Sequence, residues 1–223
     1  LLVTGGCAVN CRYCFRRAFP YAESGANRLG VKAALAAVAA DESIREVILS
    51  GGDPLLATDQ ELASIIERLD AIPHVRRLRI HTRLPVVLPS RVDDGLIAVL
   101  GRSRLSRVIV IHANHSAELD EAVAAAVRRL AAVPAVVLNQ AVLLRGVNDS
   151  AATLRELCER LVDCGVMPYY LHLLDRVGGA AHFEVAEAEA RSLLRALQET
   201  LPGYAVPRLA REEPGLPSKT WIA

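Results

Sequence analysis

Apolar runs of strand length alternate about six times with amphipathic segments of helix length, always strand before helix, and this order restricts the fold more than any other feature. The strand candidates are LLVTGG from Leu1, REVILSGG from Arg45, RRLRIHT from Arg76, RVIVIHAN from Arg107, AVVLNQAVLL from Ala135 and MPYYLHLL from Met167. Helical spacing falls between and after them: KAALAAVAA from Lys32, DQELASIIERLDAI from Asp59, SAELDEAVAAAVRRLAAV from Ser116, SAATLRELCERLVDCG from Ser150 and AEAEARSLLRALQET from Ala186. Ser116 and Ser150 are expected N-caps, and Gly165 an expected helix stop. Repeated βα units cross over right-handedly, so the pattern predicts an α/β fold with a parallel sheet, either open or curved into a barrel.

Both architectures place their chemistry beyond the carboxyl ends of the strands. Polar candidates occur at every strand end: Cys7, SGGDP from Ser50, HTR from His81, HANH from His112, Asn139 with Gln140, and His172 with Asp175. A rim lined all the way round favours a curved sheet. With 223 residues, of which 52% are hydrophobic, the chain can bury a large core, and we expect one domain over residues 1–223. The chain opens on Leu1 inside an apolar run and its one methionine is Met167, so a preceding segment is expected.

A formal net charge of +1 offers no general attraction to nucleic acid or anionic membranes. No apolar run approaches the ~20 residues needed to span a bilayer, and no signal peptide is legible. A cytoplasmic protein without nucleic acid or membrane as partner is expected.

The chain has five cysteines, and Cys7, Cys11 and Cys14 crowd the loop leaving the first strand with the spacing Cys-x3-Cys-x2-Cys. That suits metal or redox chemistry better than a disulfide framework. Cys158 and Cys164 fall in a helical stretch, roughly 240° apart around its axis, and read as buried apolar thiols. Tetrahedral zinc wants a fourth ligand, and no Cys or His stands at zinc-finger distance. Three thiolates instead suit an iron–sulfur cluster with one iron open to a substrate or cofactor. Zinc completed by a distant histidine, in a metal-binding scaffold module, is the alternative.

With aromatic Tyr13 just before the last cysteine, this loop resembles the signature of radical S-adenosylmethionine (SAM) enzymes. The resemblance implies a partial TIM-type (β/α)6 barrel and a [4Fe–4S] cluster on Cys7, Cys11 and Cys14. The open iron would chelate SAM, whose reductive cleavage gives a 5′-deoxyadenosyl radical. SGGDP resembles the family's glycine-rich motif, where Gly51, Gly52 and Asp53 would bring backbone to the methionine amino group; an ordinary βα turn capped by Asp53 is the alternative. His112 and Gln140 are, by the same resemblance, candidates for SAM contacts.

Arginine supplies nearly all the basic residues, and the two lysines are Lys32, in a helical pattern, and Lys219, in the Pro/Gly-bounded EEPGLPSKT. A lysine amine can form a Schiff base with a carbonyl cofactor where burial or nearby charge lowers its pKa, which arginine cannot do. An exposed tail lysine is the alternative from local sequence. NQAVLLRGVND from Asn139, MPYYLHLLDRVGGAAHF from Met167 and the closing PGLPSKT resemble lysine 2,3-aminomutases, and CRYCFRRAFPYAE and PSKT most resemble those members that supply β-lysine for elongation factor P. The similarity spans essentially the whole chain. It implies pyridoxal phosphate on Lys219, conversion of L-lysine to β-lysine by 2,3-amino migration, and an isomerase. A radical SAM enzyme acting on another amino acid, or without pyridoxal phosphate, is the runner-up.

The substrate carries a carboxylate at one end and an ammonium at the other, so a selective pocket needs a cation and acids at opposite ends. By the resemblance, Arg16 binds the carboxylate, while Asp175 and Glu212, the latter seven residues before Lys219, bind the ammonium; surface ion pairing is the alternative for Asp175. Arg83 is a candidate for the cofactor phosphate. A reductant protein of flavodoxin or ferredoxin type, an indirect link to elongation factor P and a homo-oligomer complete the expected partners. The resemblance implies an amino-terminal segment in family members, which is expected to lie outside this sequence.

Overall fold

The computed structural model describes residues 1–14, 16, 28–213 and 215–222. They form two compact units, one of Leu1–Val9, Phe19–Ile111 and Ala125–Val137, the other of Asn10–Ala18, His112–Ala124 and Leu138–Ala223.

In the first unit, strands β1 (Leu2–Thr4), β2 (Glu46–Gly51), β3 (Arg77–His81) and β4 (Ser106–Ile111) pair in sequence order. All three pairings are parallel, with Val47 opposite Leu78 and Ile80 opposite Ile109. The helices between them are α1 (Arg28–Ala40), α2 (Asp59–Asp70), α3 (Leu84–Val87) and α4 (Asp94–Arg102). β2 alternates half-buried with buried residues, so Val47 and Leu49 share one face. Leu62, Ile65, Ile66 and Leu69 recur at helical spacing on α2 and are buried, as are Leu96 and Leu100 of α4. Each such leucine contributes about 1.5–3 kcal/mol of apolar transfer. A capping box starts α2: Thr58 Oγ1 accepts from the Glu61 amide at 3.3 Å, and Glu61 Oε2 accepts from the Thr58 amide at 3.1 Å. Its far end is fixed by Arg104, whose guanidinium donates to the Asp70, Ile72 and Val75 carbonyls.

Helix α5 (Glu121–Ala132) and strand β5 (Ala135–Val142) each contribute residues to both units. The second unit continues with α6 (Ala151–Asp163), β6 (Met167–His172), α7 (Glu187–Thr200), β7 (Arg208–Arg211) and β8 (Thr220–Trp221). β5, β6 and β7 are parallel, and β8 returns antiparallel to β7. Register shifts between Asn139 and Gln140, which pair with Pro168 and Tyr170, and both of these amide side chains are buried. Among the described residues, no helix is long and apolar enough to cross a membrane.

All six expected strands are present. Ser150 caps α6 by accepting from the Thr153 amide at 3.1 Å, and Gly165 follows its end with φ of 79°. Ser116 differs from expectation: it lies inside a 3-10 turn capped by the ring of His115, and α5 begins only after Asp120, whose carboxylate accepts from the Val123 amide. Helices α3 and α4 and the β7–β8 pair add to the expected elements. Pro85, Pro89 and Gly95 break up the periodicity around α4, and strands of 4 and 2 residues are shorter than any alternating pattern can declare.

Candidate active site

In the first unit, the exits of β1 and β2 lock together through backbone. The Gly52 amide donates to Thr4 O and the Asp53 amide to Gly6 O, both at 2.7 Å. A Cβ on Gly52 would stand 1.9 Å from Gly6 O, and one on Gly51, whose φ is 130°, would stand 2.3 Å from Thr4 O. The two glycines are therefore required by the root of the cysteine loop, which begins at Gly5 and carries Cys7. Asp53 is buried and caps the 3-10 turn at Pro54–Leu56 through the Leu55 amide, as the turn reading expects. It does more: Oδ1 also accepts from Thr82 Oγ1 at 2.6 Å, and Oδ2 accepts from the Arg83 and Leu84 amides at 2.7 and 3.1 Å. One carboxylate thus ties the exit of β2 to that of β3.

The second unit holds the rest of the loop. Cys11 and Cys14 are half-buried and joined by a turn in which the Cys14 amide donates to Cys11 O at 3.2 Å. Between them, Asn114 donates to the Tyr13 hydroxyl at 2.6 Å. Arg16 is half-buried. None of the five cysteines forms a disulfide. Cys158 and Cys164 are buried, and burial pushes the Cys158 thiol up to about 12, which makes it inert at neutral pH. Of CRYCFRRAFPYAE, Phe15 and residues 17–23 lie outside the described residues, as does Pro214 of the closing loop.

Also in the second unit, Lys219 is half-buried, pairs with Glu212 and stands 5.6 Å from the centre of the Tyr170 ring. The Tyr170 ring in turn lies 5.1 Å from His172. Burial raises the Asp175 carboxyl, an effect that the Lys219 ammonium opposes. His172 is driven down to about 4, first by burial and then by the positive charges of Lys219 and His112. Lys219, Glu212, Asp175, Tyr170, His172 and His112 thus belong to one electrostatic neighbourhood. Gln140 is buried in β5. His172 is one of the polar candidates expected at the strand ends, whereas Tyr170 was not expected, although its place near the end of an apolar strand is a usable signal.

The family model of the Radical SAM superfamily matches residues 1–161. The chain belongs to the radical SAM superfamily. L-lysine 2,3-aminomutase of Escherichia coli (strain K12) is 54% identical over 220 residues, which are 99% of this chain and 64% of that protein. L-lysine 2,3-aminomutase of Haemophilus influenzae is 52% identical over 222 residues, 100% of this chain and 66% of that protein. The chain thus spans less than two thirds of the length of these relatives. A radical SAM methyltransferase from Sphaerobacter thermophilus superposes with a TM-score of 0.62 at 20% identity, covering 93% of this chain and 64% of that one. The fold is accordingly the α/β, mostly parallel arrangement of radical SAM proteins, consistent with a partial TIM-type barrel.

Radical SAM membership implies a [4Fe–4S] cluster and SAM as cofactors. Among the described residues, no three His, Cys, Asp or Glu side chains are already gathered as a metal site. The donor set nevertheless fits: Cys7 is exposed, Cys11 and Cys14 are half-buried, all three are thiols outside disulfides, and the remaining two cysteines are buried elsewhere. These three would hold the cluster.

Proposed function

We propose that residues 1–223 form a radical SAM core that converts L-lysine to β-lysine, a lysine 2,3-aminomutase working with pyridoxal phosphate. When bound, SAM and the cluster would supply a hydrogen-abstracting 5′-deoxyadenosyl radical, and pyridoxal phosphate an electron-delocalising partner for the migrating amino group. The observation that carries this reading is the setting of Lys219. It is a loop lysine beside an acid, an aromatic face and a neutral imidazole, whereas Lys32, the other lysine, lies in α1. The identity to proteins named L-lysine 2,3-aminomutase supports the same reading.

In this account Cys7, Cys11 and Cys14 bind iron, and Tyr13, Gly51, Gly52, Asp53, His112 and Gln140 shape the SAM site. Lys219 anchors pyridoxal phosphate, Arg16 receives the substrate carboxylate, and Asp175 with Glu212 receives the distal ammonium. Acids that already stabilise the alkylammonium of Lys219 are chemically suited to that of a substrate lysine. A cytoplasmic enzyme served by a flavodoxin- or ferredoxin-type reductant, with β-lysine destined for elongation factor P, belongs to the same proposal. Borohydride reduction of the protein loaded with pyridoxal phosphate tests it: the cofactor should become fixed to Lys219. Fixation undiminished in Lys219→Ala would place the attachment elsewhere.

A further inference from the structure

Residues 5–10 of the cysteine loop are exposed. Arg12 reaches His182 Nε2 at 3.1 Å and lies 5.1 Å from the centre of the Phe183 ring, but its hydrogen bond is exposed to solvent. The attachment through Tyr13 within the second unit is different in kind, because its donor is a buried side chain. Asn114, just past β4, is 3% exposed, and its Nδ2 donates to the Tyr13 hydroxyl at 2.6 Å.

The orientation of that carboxamide is imposed by its surroundings. Oδ1 of Asn114 accepts from the Val142 amide at 2.8 Å, a group that can only donate, so Nδ2 must face Tyr13. The backbone of Asn114 is held as firmly. Its carbonyl accepts from Asn148 Nδ2 at 2.8 Å, and its amide donates to Glu118 Oε1 at 2.7 Å. Asn148 also donates to Val142 O and accepts from the Leu144 amide, while Asn139 exchanges two hydrogen bonds with the backbone of Ala113. Three buried asparagines thereby join the exits of β4 and β5 into one satisfied amide lattice. Its outward-facing donor is the Nδ2 group that meets Tyr13.

We infer that Asn114 is a positioning residue for the iron-binding loop, acting through the Tyr13 hydroxyl to hold the turn that separates Cys11 from Cys14. Tyr13 lies between the two thiols, and its ring spans the distance from that turn to the lattice. Fixing the phenol oxygen limits how far either sulfur can swing. A purely structural asparagine would serve the lattice alone, and its loss would act independently of Tyr13.

The rate of iron release to a chelator from anaerobically reconstituted protein, followed by loss of the cluster's visible absorbance, separates the two roles. Asn114→Leu and Tyr13→Phe should each release iron about five- to tenfold faster, the equivalent of one hydrogen bond. The double variant should be no faster than the faster single one, because both changes remove the same bond. Asn114→Asp, whose carboxylate can accept from the Tyr13 O–H and still accept from the Val142 amide, should return the rate towards that of the wild type. If Asn114→Leu does not fold, Tyr13→Phe carries the test, since it leaves the Val142 contact intact. Unchanged release from Tyr13→Phe, or single effects that multiply in the double variant, overturns the inference alone. A wild type that takes up no iron overturns it together with the cluster assignment on which it rests.

Discussion

His172 shows how a single side chain can report its environment. Its ring is stacked near Tyr170, and burial, Lys219 and His112 together hold its pKa at about 4, against an ordinary value of 6.5. Above pH 6.5 the imidazole is neutral in both folded and unfolded chains and contributes no pH dependence. Between 6.5 and 4 the unfolded chain binds a proton that the folded one does not, so stability falls as pH falls through this window. Asp175, raised by burial, acts in the opposite sense from the ordinary carboxylate range upward, favouring the folded state as it becomes protonated. From pH 7 to pH 5 the wild type should therefore lose up to about 2 kcal/mol more than His172→Phe, which keeps an aromatic ring against Tyr170. Urea midpoints at the two pH values measure this, and equal losses would show that the imidazole is solvated. Nothing in the amino-acid string signals such a shift, since it arises from burial and then from Lys219 and His112, 47 and 60 positions away in sequence.

At the scale of elements, the turn after β2 joins two loops that alternation alone treats as separate. Asp53 accepts from four protein donors drawn from its own turn and from residues 82–84. Asp53→Ala would take this acceptor from all four, although the Leu84 amide keeps Thr82 Oγ1 at 3.0 Å, and should cost about 3 kcal/mol or more in urea-induced unfolding. A loss below about 1 kcal/mol would mean that water replaces the carboxylate. The six strands and the main helices were legible because each presents a periodic apolar face, and Ser150 and Gly165 because capping chemistry is local. Ser116 misled because a 3-10 turn capped by His115 intervenes before α5. The asparagine lattice was invisible for a related reason: its bonds link Asn114 to Tyr13, Val142 and Asn148, partners that no short window contains.

Across the whole molecule, balanced charge and a near absence of lysine make recognition a matter of individually placed groups. The loop of Cys7, Cys11 and Cys14 and the glycines of SGGDP were readable as motifs because their spacing is fixed by backbone geometry. What the motifs left open was that Tyr170 and His172 belong to the neighbourhood of Lys219, which they reach only through the fold. The account stands or falls on whether that neighbourhood serves a lysine substrate. The direct measurement is anaerobic incubation of the reconstituted protein with L-lysine, SAM, pyridoxal phosphate and reductant, followed by chiral separation of the amino acids. The account predicts β-lysine from the wild type and none from Lys219→Ala; SAM cleavage that leaves L-lysine unchanged would contradict it.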